Sequence, residues 1–295
     1  MPTPEARLDG TQLASLIGRD SLRVHLGALQ AIADATPARN RATGTQGFDA
    51  SVRYVTDQLA ADGYDIEEQP FMIGGITSTN VLAERKGAGE GVVMIGAHLD
   101  SVAAGPGIND NGSGVAVLLV IADRLRGLPA PDLTVRFGFW GAEEGGPFGS
   151  RAYVESLSVQ ELAEIRAYLN VDMLASPNAV PFVYDEDDAP AGSDEITAHF
   201  GAALESGGLA WDRIDVDGRS DHGPFAAAGV PIGGLFSGGR ELVTKAQAAR
   251  HGAVPGQPSD PCSDAACDTI DNVDLSTHVQ MARAASRVLV LLATE

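Results

Sequence analysis

The chain has 295 residues, of which 44% are hydrophobic, enough for one large core and routine for a single α/β domain. With 40 acidic and 20 basic residues the formal net charge is −20, a surface that repels nucleic acid and anionic membranes and excludes both as expected partners. No apolar run approaches the roughly 18 residues that span a bilayer.

The start, MPTPEARLDG, has neither the basic nor the apolar region of a signal peptide, so an intracellular protein or a trimmed, mature form is expected. Residues 1–20 are poorly patterned and are expected to be a partly mobile lead into one domain covering 1–295. Leu22, Leu26, Leu29 and Ile32 recur at helical spacing over 21–36, and Pro37 ends that helix. A turn-rich linker, NRATGTQG, follows. Val52, Val55 and Leu59 predict a helix over 48–61, closed by Gly63. Residues 66–73 and 80–85 alternate like an antiparallel pair at a sheet edge. Apolar runs at 92–97 and 134–140 predict buried strands, separated by a helix over 112–126. Short helices are expected at 148–157 and 159–165, then a buried strand at 168–171. A strand at 180–184 leads into an acidic turn, DEDD, expected to be solvated. A helix over 194–205, a polar loop entering a short helix at 219–225 and a strand over 230–236 come next. Residues 237–272 read as a long irregular stretch, a length that is usually functional. A helix over 274–292 closes the chain. The alternation predicts an α/β fold: a mixed, mostly parallel twisted sheet of about eight strands with helices on both faces.

Three apolar strands end in metal-ligand residue types. His98 and Asp100 follow the first, Glu143 and Glu144 the second, and Asp172 the third, with Asp110 in the Gly-rich loop between the first two. Sites in open α/β sheets form at this carboxyl edge. Each residue alone has a structural explanation, as a helix cap, a solvated turn or a hydrogen-bonded histidine. Together, the four carboxylates of Asp110, Glu143, Glu144 and Asp172, with the His98 imidazole, would repel one another without cations. Zn²⁺ accepts both ligand types, and adjacent glutamates allow one to bind metal while the other moves protons. Cys262 and Cys267 lie in a C-x4-C loop of an otherwise cysteine-free chain. One small disulfide is expected, with an oxidising compartment; the alternative is two free thiols.

The segments GAHLDSV, GINDNGSG, WGAEEGGPFGSRAYV, NVDM, GRSDHGPF and GVPIGGLF resemble, in unchanged order, the co-catalytic dizinc aminopeptidases of the secreted Streptomyces type. The likeness runs from about residue 24 to 273 and implies their zinc-peptidase, phosphorylase/hydrolase-like fold. It implies that His98 and Asp172 bind one metal, that Asp110 bridges two, and that Glu144 binds the second. Glu143 would be the general base, and Asp100 would accept the other ring N–H of His98. Arg219 would stand near the substrate end of the cleft, and Asp172 with Glu143 would receive the substrate amine. Asp110–Asn111 is the expected cis peptide. Secretion is favoured by the likeness and by the disulfide, against the missing leader.

One departure stands out. Between the cysteines, Asp264 occupies the place of the family's histidine ligand, and Ser263 that of its tyrosine. Either Asp264 binds the second metal, in an oxygen-rich site suited to Mn²⁺ or Mg²⁺ as well as Zn²⁺, or that site is weak. His251 is a further candidate to substitute. The expected activity is removal of the N-terminal residue from peptides with two divalent ions, most simply Zn²⁺. The alternatives are an amidase or peptidase for a small substrate with an altered second site, a silent peptide-binding fold, and a single-zinc glutaminyl-cyclase-like transferase. Peptide or small amide substrates and a monomer are expected.

Overall fold

In the computed structural model, which describes residues 7–294, the buried run Val92–His98 (β3) is central to one eight-stranded sheet. The other strands are β1 (Asp65–Ile73), β2 (Ile76–Arg85), β4 (Thr134–Trp140), β5 (Ile165–Val171), β6 (Phe182–Tyr184), β7 (Asp212–Ile214) and β8 (Ile232–Phe236). Their order is β1-β2-β4-β3-β5-β8-β6-β7. The four central strands β4, β3, β5 and β8 run parallel, and antiparallel pairs flank them, with β6–β7 parallel at the far edge. The expected α/β sheet is therefore present, mixed and parallel at its centre.

Helices cover both faces. On one lie α2 (Arg19–Asp34), α3 (Gln46–Ala61), α4 (Gly112–Leu125), α7 (Ser193–Ser206) and α10 (Leu275–Ala293), whose apolar faces share the larger core cluster with Val93, Ile95 and Ala97. On the other lie α5 (Phe148–Ser156), α6 (Val159–Glu164) and α8 (His222–Ala227), around Trp140, Tyr153, Tyr168 and Phe225. Trp140 lies across the neighbouring strand: a Cβ on Gly96 would fall 2.4 Å from both Trp140 Nε1 and the Tyr168 hydroxyl, so only glycine fits.

Besides a short 3-10 turn at Ile270–Asn272, three elements escaped the sequence reading. α1 (Gly10–Ser15) is capped by Asp9, and Leu8, Leu13 and Ile17 are buried. Residues 7–20 are thus packed rather than loose; residues 1–6 lie outside the described ones. β7 is three residues of Asp-Arg-Ile, too short to show a period. Within the stretch read as irregular, α9 (Lys245–His251) is announced by a capping box of Thr244 and Gln247. β5 also begins earlier than expected, directly after α6.

The linker before α3 is fixed by one buried cation. Arg41 is 0% exposed, and its guanidinium donates to the carbonyls of Pro106 (2.9 Å), Gly107 (2.6 Å) and Leu99. Burial lowers its pKa to about 10, against the opposing pull of Asp100, Asp268, Glu144 and Asp110. It balances those charges without a paired carboxylate. Arg41→Ala would orphan its carbonyl partners and remove the balancing charge, and a loss of about 3–5 kcal/mol is expected. Denaturant unfolding checks this; a loss below about 1 kcal/mol would mean that water replaces the guanidinium.

Candidate active site

The period of two along a strand explains why the ligands meet. Met94, Gly96 and His98 alternate on β3, and Tyr168 and Asn170 do so on β5 with Asp172 next. The parallel register pairs Gly96 with Asn170, so two residues on His98 and Asp172 emerge side by side. His98 Nε2 is 3.4 Å from Asp172 Oδ1, 3.2 Å from Asp110 Oδ1 and 3.9 Å from Glu143 Oε2. One ligand atom each of His98, Asp110 and Glu144 lie within 4.8 Å of one another. The chain turns sharply where β4 and β5 deliver these groups: Ala142 (φ 59°) and Met173 (φ 47°) are left-handed, a conformation that costs roughly 1–3 kcal/mol and recurs at functional sites.

Asp110 reaches the cluster because Asn111 takes over the capping of α4. The Asn111 Oδ1 accepts from Gly114 N (2.9 Å), and its Nδ2 donates to the Val171 carbonyl at the end of β5 (2.9 Å). The Asp110–Asn111 peptide is cis. Asp268, buried immediately after Cys267, accepts from the amides of Asn109 (2.8 Å) and Asp110 (3.0 Å). Sequence reading missed it, although its place beside the disulfide was visible. Ser220 was also missed; its hydroxyl donates to Asp172 Oδ2 at 2.9 Å.

His98 donates Nδ1–H to the Asp100 backbone carbonyl at 3.1 Å, which leaves Nε2 facing the carboxylates. The Asp100 carboxylate, expected to take that proton, is 3.7 Å away and instead accepts from the Glu143 amide at 3.0 Å. Asp100 therefore holds the backbone of the glutamate pair.

The electrostatics follow from crowding. Burial, and then the charge of Asp110, push Glu144 up to about 9. Burial raises Glu143 well above the carboxylate range, against the pull of His98. Burial opposes charge on His98, but Asp172 and Glu143 outweigh it and hold the imidazole well above its ordinary value. Burial would raise Asp172, yet His98 and Ser220 hold it low. Asp221, buried nearby at the head of α8, is pushed up to about 7 by burial. Glu144 Oε1 and Asp172 Oδ1 are buried acceptors without a hydrogen-bond partner, which fits a donor set awaiting a cation.

Two predicted residues do not join the cluster. Asp264 has its side chain 44% exposed and lies 3.7 Å from Arg240 Nη2, although its charge still raises Asp110 and Glu144. Its own φ of 53° belongs to the tight loop closed by the Cys262–Cys267 disulfide, whose Cα atoms are 5.2 Å apart. Arg219 is exposed and donates to the Val216 carbonyl of its own loop. Among the other histidines, His251 faces Asp212 at the far edge of the sheet (3.3 Å), and His222 pairs with Glu186 (2.6 Å). That second contact draws Glu186 out of the solvated turn expected for DEDD.

Comparison with known proteins gives this arrangement its context. The sequence model described as Peptidase family M28 matches residues 80–289. Leupeptin-inactivating enzyme 1 of Streptomyces exfoliatus is 43% identical over 258 residues, 86% of this chain and 57% of that protein. The chain thus spans little more than half of that relative's length. Among solved structures, the aminopeptidase from Aneurinibacillus sp. strain AM-1 superposes with a TM-score of 0.77 at 19% identity, covering 97% of this chain and 96% of that one. A Porphyromonas gingivalis glutaminyl cyclase superposes with a TM-score of 0.72 at 18% identity, covering 93% and 98%. At these identities both likenesses concern the fold alone, and that fold serves more than one chemistry. The family match, which covers most of the sheet and every residue of the cluster, has the wider reach: this chain belongs to Peptidase family M28.

Proposed function

We propose that this chain is a metallo-aminopeptidase that removes the N-terminal residue of peptides. The carrying observation is the convergence of His98 Nε2 with Asp110, Glu144 and Asp172, two of whose buried oxygens have no other partner. His98 and Asp172 would hold one divalent ion, Glu144 a second, and Asp110 both; zinc suits the imidazole and carboxylate donors. Bound cations would polarise the scissile carbonyl and acidify a water.

The remaining steps belong to side chains. Glu143 takes the proton of the attacking water and returns a proton to the leaving amine; the positive charge of bound cations would favour the ionised carboxylate that this role needs. Its backbone is held by Asp100, so the carboxylate stays directed at His98. The charged substrate amine would rest against Glu143 and Asp172, which selects an uncapped N-terminus, with Arg219 beyond them at the substrate end. The Cys262–Cys267 bridge supports an oxidising, extracytoplasmic location.

The exposed, Arg240-paired Asp264 supports a second site weaker than the first. Zinc titration followed by mass spectrometry should find one tight ion and one more weakly held. Asp264→His should tighten the second; unchanged metal content would remove position 264 from the site.

Glu143→Gln should keep the metal and lower the release of p-nitroaniline from leucine p-nitroanilide by at least about 10²-fold. Chelator should abolish the wild-type rate; comparable turnover by the variant would take the base role away from Glu143.

The raised His98 and Glu144 hold protons at neutral pH until a cation displaces them. Metal affinity should therefore climb with pH as far as about 9, where Glu144 ionises unaided. Calorimetry at pH 7 in two buffers of different ionisation enthalpy should record net proton release on zinc binding. Zero release would show ligands already bare.

A further inference from the structure

We propose that the recess on the Glu144 side of the cleft, walled by the β1–β2 turn, is a binding site for an apolar side chain of the residue that follows the scissile bond. This rests on the aminopeptidase reading above and adds to it the leaving side of the substrate. The recess has a volume of about 430 Å³, and Thr43, Ile73, Ile76, Val102, Ala142 and Glu144 stand in its wall. Glu144 makes it continuous with the cluster. Glu143 and Asp172, the groups assigned to the amine, do not line it. With the amine at those two residues, neither of which lines the recess, and the scissile carbonyl over the cluster, the residue after the scissile bond would be the part of the peptide left to reach the Glu144 side.

The wall is built for apolar contact. Gly74 (φ 55°) and Gly75 (φ 86°) form the two-residue turn, with both central positions left-handed as a tight hairpin requires. That turn makes Ile73 and Ile76 the last facing pair of the hairpin. Ile76 leans onto the linker that follows Arg41, where a Cβ on Gly44 would fall 2.7 Å from its Cγ2. Thr43 in that linker donates to Asp100 Oδ2 at 3.4 Å, tying the wall to the floor of the site. Ile76 nevertheless stays 48% exposed. An incoming apolar side chain would remove that surface from water, which is favourable in proportion to the area covered. An acidic one would meet Glu144 and Asp100. Thr43, Ile73 and Ile76 all precede residue 80, where the family match begins, so this part of the wall lies outside the matched sequence, whereas Val102, Ala142 and Glu144 lie within it.

The test compares kcat/KM for leucinamide, whose leaving group has no side chain, with that for Leu-Ala, Leu-Phe and Leu-Asp, using zinc-loaded protein. The wild type should prefer Leu-Phe to Leu-Ala and both to Leu-Asp. Ile76→Ser and Ile73→Ser should each lower the ratio of Leu-Phe to leucinamide by about ten-fold, the scale of a lost apolar contact in a pocket. Met72→Ser, at an exposed hairpin position outside the recess, should leave that ratio unchanged. A ratio that neither isoleucine variant moves overturns the subsite while leaving the aminopeptidase reading intact. So does a shift of preference among leucinamide, alaninamide and phenylalaninamide, which would assign the recess to the N-terminal side chain. Wild-type protein that cannot hydrolyse leucinamide removes the reading and the subsite with it.

Discussion

The structure depends on how a crowd of buried carboxylates is made tolerable. Asp100, Asp110, Glu143, Glu144 and Asp172 meet around one imidazole, and the side chains of Asp100, Asp110, Glu143 and Asp172 are between 2% and 15% exposed. Charges cannot be withdrawn from water at this density without compensation. Compensation comes in three forms: protons retained by raised pKa values, the Arg41 guanidinium beneath the loop, and backbone or hydroxyl donors aimed at individual oxygens. A divalent cation would replace the first of these, so metal binding would be accompanied by proton release.

That requirement organises the loops as well as the ligands. Asp268 holds the amides of Asn109 and Asp110, Asp260 accepts from Asn109 Nδ2 at 2.6 Å, and Asn111 joins the start of α4 to the end of β5. The loop bearing Asp110 is therefore gripped from the disulfide segment on one side and from the sheet on the other. Rigid support of this kind fixes a ligand more closely than the ligand's own torsions could. Asp264, in the same disulfide segment, is not gripped in this way and points to Arg240.

The elements with strong periodicity were legible in the sequence. β3, β4 and β5 are buried apolar runs, α2 and α3 carry helical stripes, and α4 and α10 are long apolar segments, so their type and approximate bounds could be read directly. Residue types at the strand ends pointed to His98, Glu143, Glu144 and Asp172, and the Gly-rich loop between the first two strands added Asp110. α1, β7 and α9 were missed because each is seven residues or fewer and shows too little of a period; their order is set by what they pack against.

What the sequence determined by itself is a pattern of local preference: which runs must be buried, where strands stop, and which chemical groups stand at the stops. What only the tertiary structure decided is how the groups partition their contacts. Arg41 sat in a stretch that read as a plain linker, because a buried arginine bonded to carbonyls leaves no local signature. Asp100 was assigned to a ring nitrogen but faces an amide 43 positions away. Asp264 was one candidate ligand because it stands where the resembled family has a histidine, yet its loop turns it toward solvent and Arg240. In each case the deciding distance lies between residues far apart in the chain, and such distances are fixed by packing of the whole fold rather than by neighbouring residues.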